Sequence, residues 1–404
     1  MINLNLNKKV IIFGFIFTFF SSFGQSFFLG LFNPSIRSDL NITHGQFGTI
    51  YASATICSSL ILVWVGKKID EYKLLNYSFF VIILLFISTL FFSFINNIFI
   101  LGVGIFLMRF SGQGLMSHTS STAISRYFDR SRGKSLSISL LGLSTAEFLL
   151  PILIIFSLTI ISWRVVWQSM SILVILFLPL VIMSTIKKVN FDSREENPEK
   201  KFKKRIKSWK RNEVLKDYRF YIISLNMLAM PWIFTGIAVY QSFIADSKFW
   251  DIYTIPKAFM VYSIVSIITL TLCGPIVDKF TSRKLISFMN IPLLISMAVL
   301  FSMDNTYSAY LFLGLVGMSN GLSNVLGTST WAEIYGVKYI GSIKALTTAF
   351  MVFSTAFGTA VFGILIDKGL SIEGISMFAG FYIIISLFLL IIFRRHLEPV
   401  YLKE

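Results

Sequence analysis

Long apolar stretches recur along almost the whole chain, and they constrain its fold more than any other feature. A helix needs about 20 mainly apolar residues to cross the hydrocarbon core of a bilayer. Only 14% of the 404 residues are charged, against roughly a quarter in average soluble proteins, so the chain suits lipid better than water. The stretches predict twelve membrane-spanning helices, near residues 10–32, 46–65, 74–95, 98–122, 135–160, 165–186, 220–244, 254–277, 285–303, 306–330, 342–366 and 374–393.

The basic residues predict the orientation of these spans. If the spans alternate in direction, both termini and the even-numbered junctions share one side of the membrane. That side receives 30 of the 36 Lys and Arg residues, and basic loops normally stay in the cytoplasm. We therefore predict a multi-pass protein of the plasma membrane, or of the inner membrane in a bacterium, with both termini cytoplasmic.

A basic segment at residues 188–217 divides the spans into two groups of six. With the net charge of +16, this segment would suit a nucleic-acid partner in a soluble protein. Between membrane spans it is better interpreted as a cytoplasmic linker that faces water and anionic lipid head groups. We predict an N-terminal bundle at 1–187, the linker at 188–217, a C-terminal bundle at 218–404, and no nucleic-acid partner.

The two groups of spans contain an internal repeat. Gly66 and Asp70, after the second span, correspond to Gly274 and Asp278, after the eighth, at an offset of 208 residues. Parallel six-span repeats are typical of transporters that bind their substrate between the halves, near the bilayer midplane. The predicted fold class is an all-α membrane protein with two pseudo-symmetric six-helix bundles.

Several motifs resemble the major facilitator superfamily over essentially the whole chain. In its loop signature, G-x-x-x-D-R-x-G-R-[RK], the second half has the first glycine, the aspartate and the basic residues, whereas the first half has Glu71 where a basic residue is usual. Other segments resemble the monocarboxylate-porter-like members of that family. The residues that carry these resemblances are Gly66, Asp70, Gly274, Asp278, Lys279, Phe280, Arg283 and Lys284 for the loops, Arg109 and Gly112–Gly114 in the fourth span, and Ser125–Lys134, Glu147, Pro151 and Trp331–Gly336 for the subfamily.

The resemblance implies a fold, a transport cycle and a set of gating residues. It implies the major facilitator fold, alternating access and loops that latch the outward-facing state, and we expect a monomer. Physically, glycine allows close approach of helices, and a carboxylate at the membrane boundary can cap a neighbouring helix. The expected gating residues are Gly66, Asp70, Gly274, Asp278 and Arg283.

Two ionisable residues fall deep inside predicted spans. Arg109 lies in the fourth span and Glu147 in the fifth, and both reach similar depth near the middle of the membrane. Charges there are costly, so they normally face a cavity or a partner. We expect the two to approach closely, with the Arg109 guanidinium either paired to Glu147 or offered to an anionic substrate. Release of Arg109 to a substrate would let Glu147 take up a proton, whereas a permanent ion pair would only fasten two helices.

Polar and aromatic side chains on other spans extend the candidate substrate site. Their amides can bind a carboxylate or hydroxyl, or equally join helices, and both interpretations stay open for each residue. His118 lies on the opposite face of its helix from Arg109, and for it a packing or hydrogen-bonding role is favoured over a proton relay. The candidate substrate-binding residues besides Arg109 are Gln25, Gln113, Asn226, Trp232, Tyr240, Gln241, Asn320 and Asn324.

Motifs for other classes of function fail on inspection. Gly133–Ser135 reads G-K-S, but Phe128 occupies the first glycine position of a phosphate-binding loop, so no ATP motor is predicted. The three His and two Cys residues are scattered, which argues against a metal cluster or a disulfide framework. We expect no enzyme activity, no cofactor and no bound metal.

These observations together predict a secondary-active transporter of a small organic solute. The favoured substrate is a small organic anion such as a monocarboxylate, with Arg109 as its anchor and Glu147 as the proton-coupling residue. A transporter or exporter of a neutral solute or drug is the alternative within transport. A membrane sensor that binds a solute without moving it is the alternative from another class.

Overall fold

The computed structural model describes residues 4–128, 132–187, 189, 207–336 and 338–400, and the regular elements in these ranges are all helices. The chain divides into two compact units. The first comprises Met1–Asn197 with Ala238–Ser242, and the second comprises Pro198–Ile237 with Phe243–Glu404. The five residues Ala238–Ser242 thus belong to the first unit, although the sequence predicts them within the C-terminal bundle.

The first unit contains the helices of the first six predicted spans. A π-helix, Arg109–Met116, joins α6 to α7 within one continuous span. The helices are α1 (Leu4–Ser21), α2 (Ser26–Leu31), α3 (Asn33–Leu40), α4 (His44–Lys67), α5 (Leu74–Phe92), α6 (Ile98–Met108), α7 (Ser117–Tyr127), α8 (Arg132–Ile160) and α9 (Trp163–Thr185).

The second unit contains the helices of the last six spans and one helix of the linker. The helices are α10 (Arg211–Val214), α11 (Tyr218–Val239), α12 (Gln241–Ser247), α13 (Thr254–Phe280), α14 (Ser282–Leu285), α15 (Ile291–Ser302), α16 (Thr306–Tyr335), α17 (Ile340–Asp367) and α18 (Ile372–Ile392). The last two residues of α11, Tyr240 and the first two residues of α12 are those that fall in the first unit.

Eleven helical segments in the described part of the chain are long and apolar enough to cross a membrane. The first predicted span, 10–32, is instead divided between α1 and α2. A 3₁₀ turn, Ser22–Gly24, and the extended residue Gln25 separate the two helices. Counting this interrupted span, the architecture agrees with the predicted twelve transmembrane helices.

The interruption lies where the first span crosses the π-helix at very close range. A Cβ atom added to Gly24 would overlap the backbone O of Met108 and the backbone N of Gln113. A Cβ added to Gly112 would lie 2.7 Å from the backbone N of Gly24. Only glycine fits at both positions because the two backbones are in direct contact, and this contact fixes the break beside the start of the π-helix.

The described end of the predicted linker folds onto the second unit. The backbone N–H of Trp209 donates to the carbonyl O of Tyr335 at 3.0 Å, and that of Lys207 donates to the carbonyl O of Val400 at 2.9 Å. Val214, on α10, is fully buried in the same apolar cluster. Residues 207–217 are therefore packed structure rather than a purely solvated connection.

Candidate functional site: a buried arginine beside a broken span

Arg109 begins the π-helix and points its side chain to the break in the first span. It is 3% exposed, and its NH1 group donates to the carbonyl O of Gly24 at 3.1 Å and to Oγ of Ser26 at 3.4 Å. The guanidinium carbon lies 5.3 Å from the centre of the Tyr51 ring on α4. The Tyr51 hydroxyl in turn donates to Oγ of Ser26 at 3.0 Å. Each of the three residues Arg109, Ser26 and Tyr51 therefore contacts the other two.

The local sequence explains why a cation is held here. A helix break frees backbone groups from helical bonding, and these groups need other partners inside a membrane. The carbonyl of Gly24 receives its hydrogen bond from Arg109. The face of the Tyr51 ring adds an attraction for the cation that is stronger where water is excluded.

Of the two arrangements expected for Arg109, the ion pair with Glu147 is not present among the described residues. No carboxylate in the described ranges lies within salt-bridge distance of Arg109, whose side chain instead donates to Gly24 and Ser26. Glu147, on α8, is 8% exposed and makes no hydrogen bond or ion pair with a described residue. The pairing fails because the Arg109 side chain is directed to the α1–α2 break and to α4.

Arg109 also keeps unused bonding capacity. Its Nε atom is buried and has no acceptor among the described residues. A guanidinium has five N–H donors arranged for planar anions such as carboxylates. Within the described residues, the first unit therefore holds a buried cation without a counter-ion, and a separate buried carboxyl group without a cation.

Two further candidate residues lie beside Arg109. Gln25 is the extended residue of the break, directly between Gly24 and Ser26. Gln113 lies in the π-helix, and its backbone N is in close contact with Gly24. The structure thus brings Gln25 and Gln113 to the same crossing as Arg109.

Tyr240 and Gln241 lie elsewhere in the first unit, near the predicted outer ends of its spans. The Tyr240 hydroxyl donates to the carbonyl O of His44 at 2.9 Å. The Gln241 side-chain N–H donates to the carbonyl O of Phe27 at 2.8 Å, and its Oε1 atom is buried without a donor in the described ranges. Both of these hydrogen bonds go to backbone carbonyls of the first unit.

In the second unit, Asn226 is part of a fully buried polar cluster. Its side-chain N–H lies 3.5 Å from Oγ of Ser386, and its backbone carbonyl accepts from the Asn290 side chain at 2.6 Å. Its Oδ1 atom has no donor in the described part of the chain. These bonds join α11 to α15 and α18, as the helix-joining interpretation predicts.

Trp232, Asn320 and Asn324 occupy three different environments of the second unit. Trp232 is packed edge-on against aromatic rings of α17 and α18, with Tyr382 nearest at 5.3 Å between ring centres. The Asn320 side chain donates to Oγ of Ser266 at 3.0 Å. Asn324 is exposed and donates to the backbone O of Asn320 at 3.0 Å.

The first-half gating candidates form a network at the predicted cytoplasmic ends of α4 and α7. The His118 ring Nε2 lies 3.0 Å from the carbonyl O of Gly66, which confirms the hydrogen-bonding role predicted for His118. Arg126 donates to the carbonyl O of Ile69 at 3.1 Å and forms an ion pair with Asp70. The sequence had suggested that Asp70 caps a neighbouring helix. In the structure Asp70 binds the guanidinium of Arg126 instead.

In the second unit a carboxylate also binds the loop at the predicted cytoplasmic end of a span. Glu333, near the end of α16, accepts hydrogen bonds from the backbone N–H groups of Ser282 at 2.8 Å and Arg283 at 3.2 Å. A Cβ added to Gly274 would meet nothing within 4 Å, so the close helix approach expected at that glycine is not present. The side chain of Asp278 lies outside the described part of the structure.

Arg283 has a second contact besides its backbone bond to Glu333. Its NH1 atom lies 3.7 Å from a carboxylate oxygen of Glu398 in the segment after α18.

No group of three or more His, Cys, Asp or Glu side chains in the described ranges is placed to hold a metal ion.

Sequence reasoning missed the residues that surround Arg109. Ser26 and Tyr51 contact it directly, and Thr55 lies one turn from Tyr51 on α4. A spacing of four between polar residues in an apolar span was the available signal. Glu333, which binds the loop of the second unit, lies within the motif Trp331–Gly336. The sequence did not reveal this contact with the loop.

The chain matches the family model described as Major Facilitator Superfamily over residues 14–256. It therefore belongs to the major facilitator superfamily and is a membrane transporter rather than an enzyme. No curated protein sequence matches the chain.

Solved structures of transporters share this fold at low sequence identity. A bacterial homologue of the human lysosomal transporter Spinster, inward-facing and unoccupied, is 13% identical, with a TM-score of 0.71 over 97% of this chain and 98% of that one. The nucleoside transporter NupG is also 13% identical, with a TM-score of 0.73 over 96% of this chain and 99% of that one. At this level of identity the similarity concerns the fold alone.

Proposed function

We propose that this transporter moves a small organic anion of the monocarboxylate type by alternating access, with the anion held by Arg109. The observation that carries the proposal is a fully enclosed guanidinium without a carboxylate partner in the described structure. A buried charge is strongly unfavourable unless it is paired. An anionic substrate would supply the missing charge in a bidentate arrangement that suits arginine.

Ligand-induced stabilisation of the full chain in detergent tests this proposal. The ligands are lactate, pyruvate and benzoate, each compared with its neutral amide. We expect the three anions to raise the unfolding temperature of the wild type, and Arg109→Gln to abolish this shift while Arg109→Lys retains part of it. Arg164→Gln is the matched control, because Arg164 pairs with Asp39 at the partly exposed end of α9.

Two results would contradict the proposal. Equal stabilisation by acids and amides would indicate a neutral solute. Stabilisation by acids that is as strong in Arg109→Gln as in Arg164→Gln would place the anion elsewhere. Flux of a bound anion into proteoliposomes then separates a transporter from a sensor, which would bind the anion without moving it.

We also propose that Glu147 carries a proton during transport. It is a buried carboxyl group in the middle of the α8 span, and it has no cationic partner among the described residues. Intramembrane carboxyl groups of this kind are typical of proton relays. Such a group can bind a proton in one state of the cycle and release it in another.

Proteoliposome transport tests the role of Glu147. We expect Glu147→Gln to retain exchange of anions but to lose accumulation driven by a pH gradient. Glu71→Gln is the control, because that carboxylate lies exposed beside Lys68. Uphill transport by Glu147→Gln with an unchanged pH dependence would end the coupling hypothesis.

We also propose that charged contacts at the predicted cytoplasmic ends of the helices gate the transport cycle. Asp70 with Arg126, and Glu333 with the loop at 281–283, hold the predicted cytoplasmic loops of the two units through charge-assisted bonds. Such bonds are strong but reversible, which suits a latch. Asp70→Asn should therefore change transport rates more than it changes anion affinity in the stabilisation assay.

A further inference from the structure

Tyr51 and Thr55 lie one turn apart on α4, and so they share one helix face. Both are almost completely enclosed, with 1% and 2% of their surfaces exposed. Tyr51 contacts the Arg109 guanidinium through its ring. The Thr55 hydroxyl is buried and has no hydrogen-bond partner in the described ranges.

The packing of α4 on the fourth span places Thr55 along the Arg109 side chain. Each of three contacts joins residues 52 positions apart, so the two helices run side by side in parallel. By this register Thr55 lies level with Leu107, between the level of Arg109 and that of Tyr51. Helical side chains lean toward the N-terminus of their helix, so Arg109 extends past Thr55 to reach Tyr51. The three contacts are Ile50 with Gly102, Leu62 with Gly114, and Gly66 with His118.

The free hydroxyl of Thr55 is unusual for a threonine inside a helix. Such hydroxyls commonly donate to the carbonyl one turn earlier. Thr89 does so to Leu85 at 3.0 Å, and Thr119 does so to Leu115 at 2.7 Å. Thr55 makes no such bond, so its hydroxyl is available to an acceptor that enters beside Arg109.

We propose that Thr55 donates a hydrogen bond to the bound carboxylate, and that Tyr51 positions the guanidinium that holds it. This inference rests on the proposed function and deepens it. Both carboxylate oxygens accept from the guanidinium, and one of them also accepts from the Thr55 hydroxyl. Tyr51 acts through Arg109 and Ser26, because its hydroxyl bonds Ser26 and its ring lies under the cation. One guanidinium balances one negative charge, so the site suits a monovalent carboxylate.

Affinity measurements on the full chain in detergent test the inference with lactate, pyruvate and benzoate. We expect Thr55→Val to raise the Kd of the bound acid about 10- to 140-fold, the usual effect of losing one hydrogen bond to a charged group. Thr55→Ser keeps the hydroxyl and should restore wild-type affinity. Thr89→Val makes the same chemical change at a satisfied hydroxyl and should have no effect.

Tyr51→Phe tests the positioning role. It keeps the ring but removes the bond to Ser26, so we expect a several-fold loss of affinity for the acid. A purely structural role would affect an acid and its amide alike, so the ratio of their affinities distinguishes the two roles. We expect Tyr51→Phe to lower this ratio and Ser58→Ala to leave it unchanged, since the Ser58 hydroxyl already bonds the carbonyl of Thr55.

The outcomes separate this inference from the function on which it rests. If the wild type binds none of the three acids, the proposed function fails and the inference fails with it. If the wild type binds an acid and Thr55→Val binds it as tightly as Thr89→Val, the inference alone is overturned. Thr55→Ala, which also removes the hydroxyl, decides the matter if Thr55→Val does not fold.

Discussion

The carboxylate of Glu333 provides a sharp test of how the second unit holds its loop. Its two oxygens accept the backbone N–H groups of Ser282 at 2.8 Å and Arg283 at 3.2 Å. These are the first amides of α14, which have no partner within their own helix. Glu333→Gln keeps one acceptor oxygen and places an NH₂ group where the other oxygen was. One amide therefore loses a hydrogen bond to a charged group.

The size of the effect follows from that geometry. A hydrogen bond to a charged group contributes about 1.5–3 kcal/mol, and we expect about 2–3 kcal/mol here because the second amide also loses its charged acceptor. Since 1.4 kcal/mol corresponds to a factor of ten, local opening should become roughly 30- to 140-fold more frequent.

Amide hydrogen exchange of the full chain in detergent measures this opening directly. Exchange at Ser282 and Arg283 should accelerate by that factor in Glu333→Gln, while exchange in the middle of α13 stays unchanged. Glu71→Gln, a change at an exposed carboxylate of the first unit, should leave both regions unaffected. Unchanged exchange at the two amides would refute the assignment of Glu333 as the residue that holds this loop.

Two further predictions concern packing and pH. Gly142→Ala should strongly reduce thermal stability, because the added Cβ would overlap the carbonyl O of Phe15 and force α1 and α8 apart; Gly274→Ala, with open space around it, should be neutral or raise stability by up to about 1 kcal/mol through helix propensity. Hydrogen bonds from Arg164 and Trp163 lower the pKa of the Asp39 carboxyl in the folded protein. Its stabilisation is therefore present above the unfolded pKa and is lost as the pH falls through the folded pKa. Unfolding temperatures measured between pH 6 and pH 3 should thus show a smaller acid-induced drop in Asp39→Asn than in the wild type.

Much of the fold was predictable because membrane insertion depends on properties of linear segments. Apolar length alone located the spans, and eleven of them are helical segments of membrane-spanning length in the described chain. The break in the first span was not predicted, since residues 22–25 include no proline and only one glycine. The break coincides with a backbone contact between Gly24 and Gly112, which are far apart in sequence.

The candidate site was only partly predictable. Arg109 was identified because a charge inside an apolar span needs a reason to be there. Its partners were not identified, since they are a backbone carbonyl, a serine and an aromatic ring on other helices. The close approach expected between Arg109 and Glu147 relied on equal depth in the membrane, and equal depth does not determine the direction in which a side chain points.

The number of spans and the family of the protein follow from the sequence, because hydrophobic length and motif spacing are properties of the linear chain. The tertiary structure alone decided which groups surround Arg109. Helix rotation, a break at Ser22–Gln25 and a π-helix at Arg109–Met116 set those contacts. A π-helix shifts bonding to i→i+5 and so changes which residues share a face, and periodicity computed for a regular α-helix contains no information about that shift.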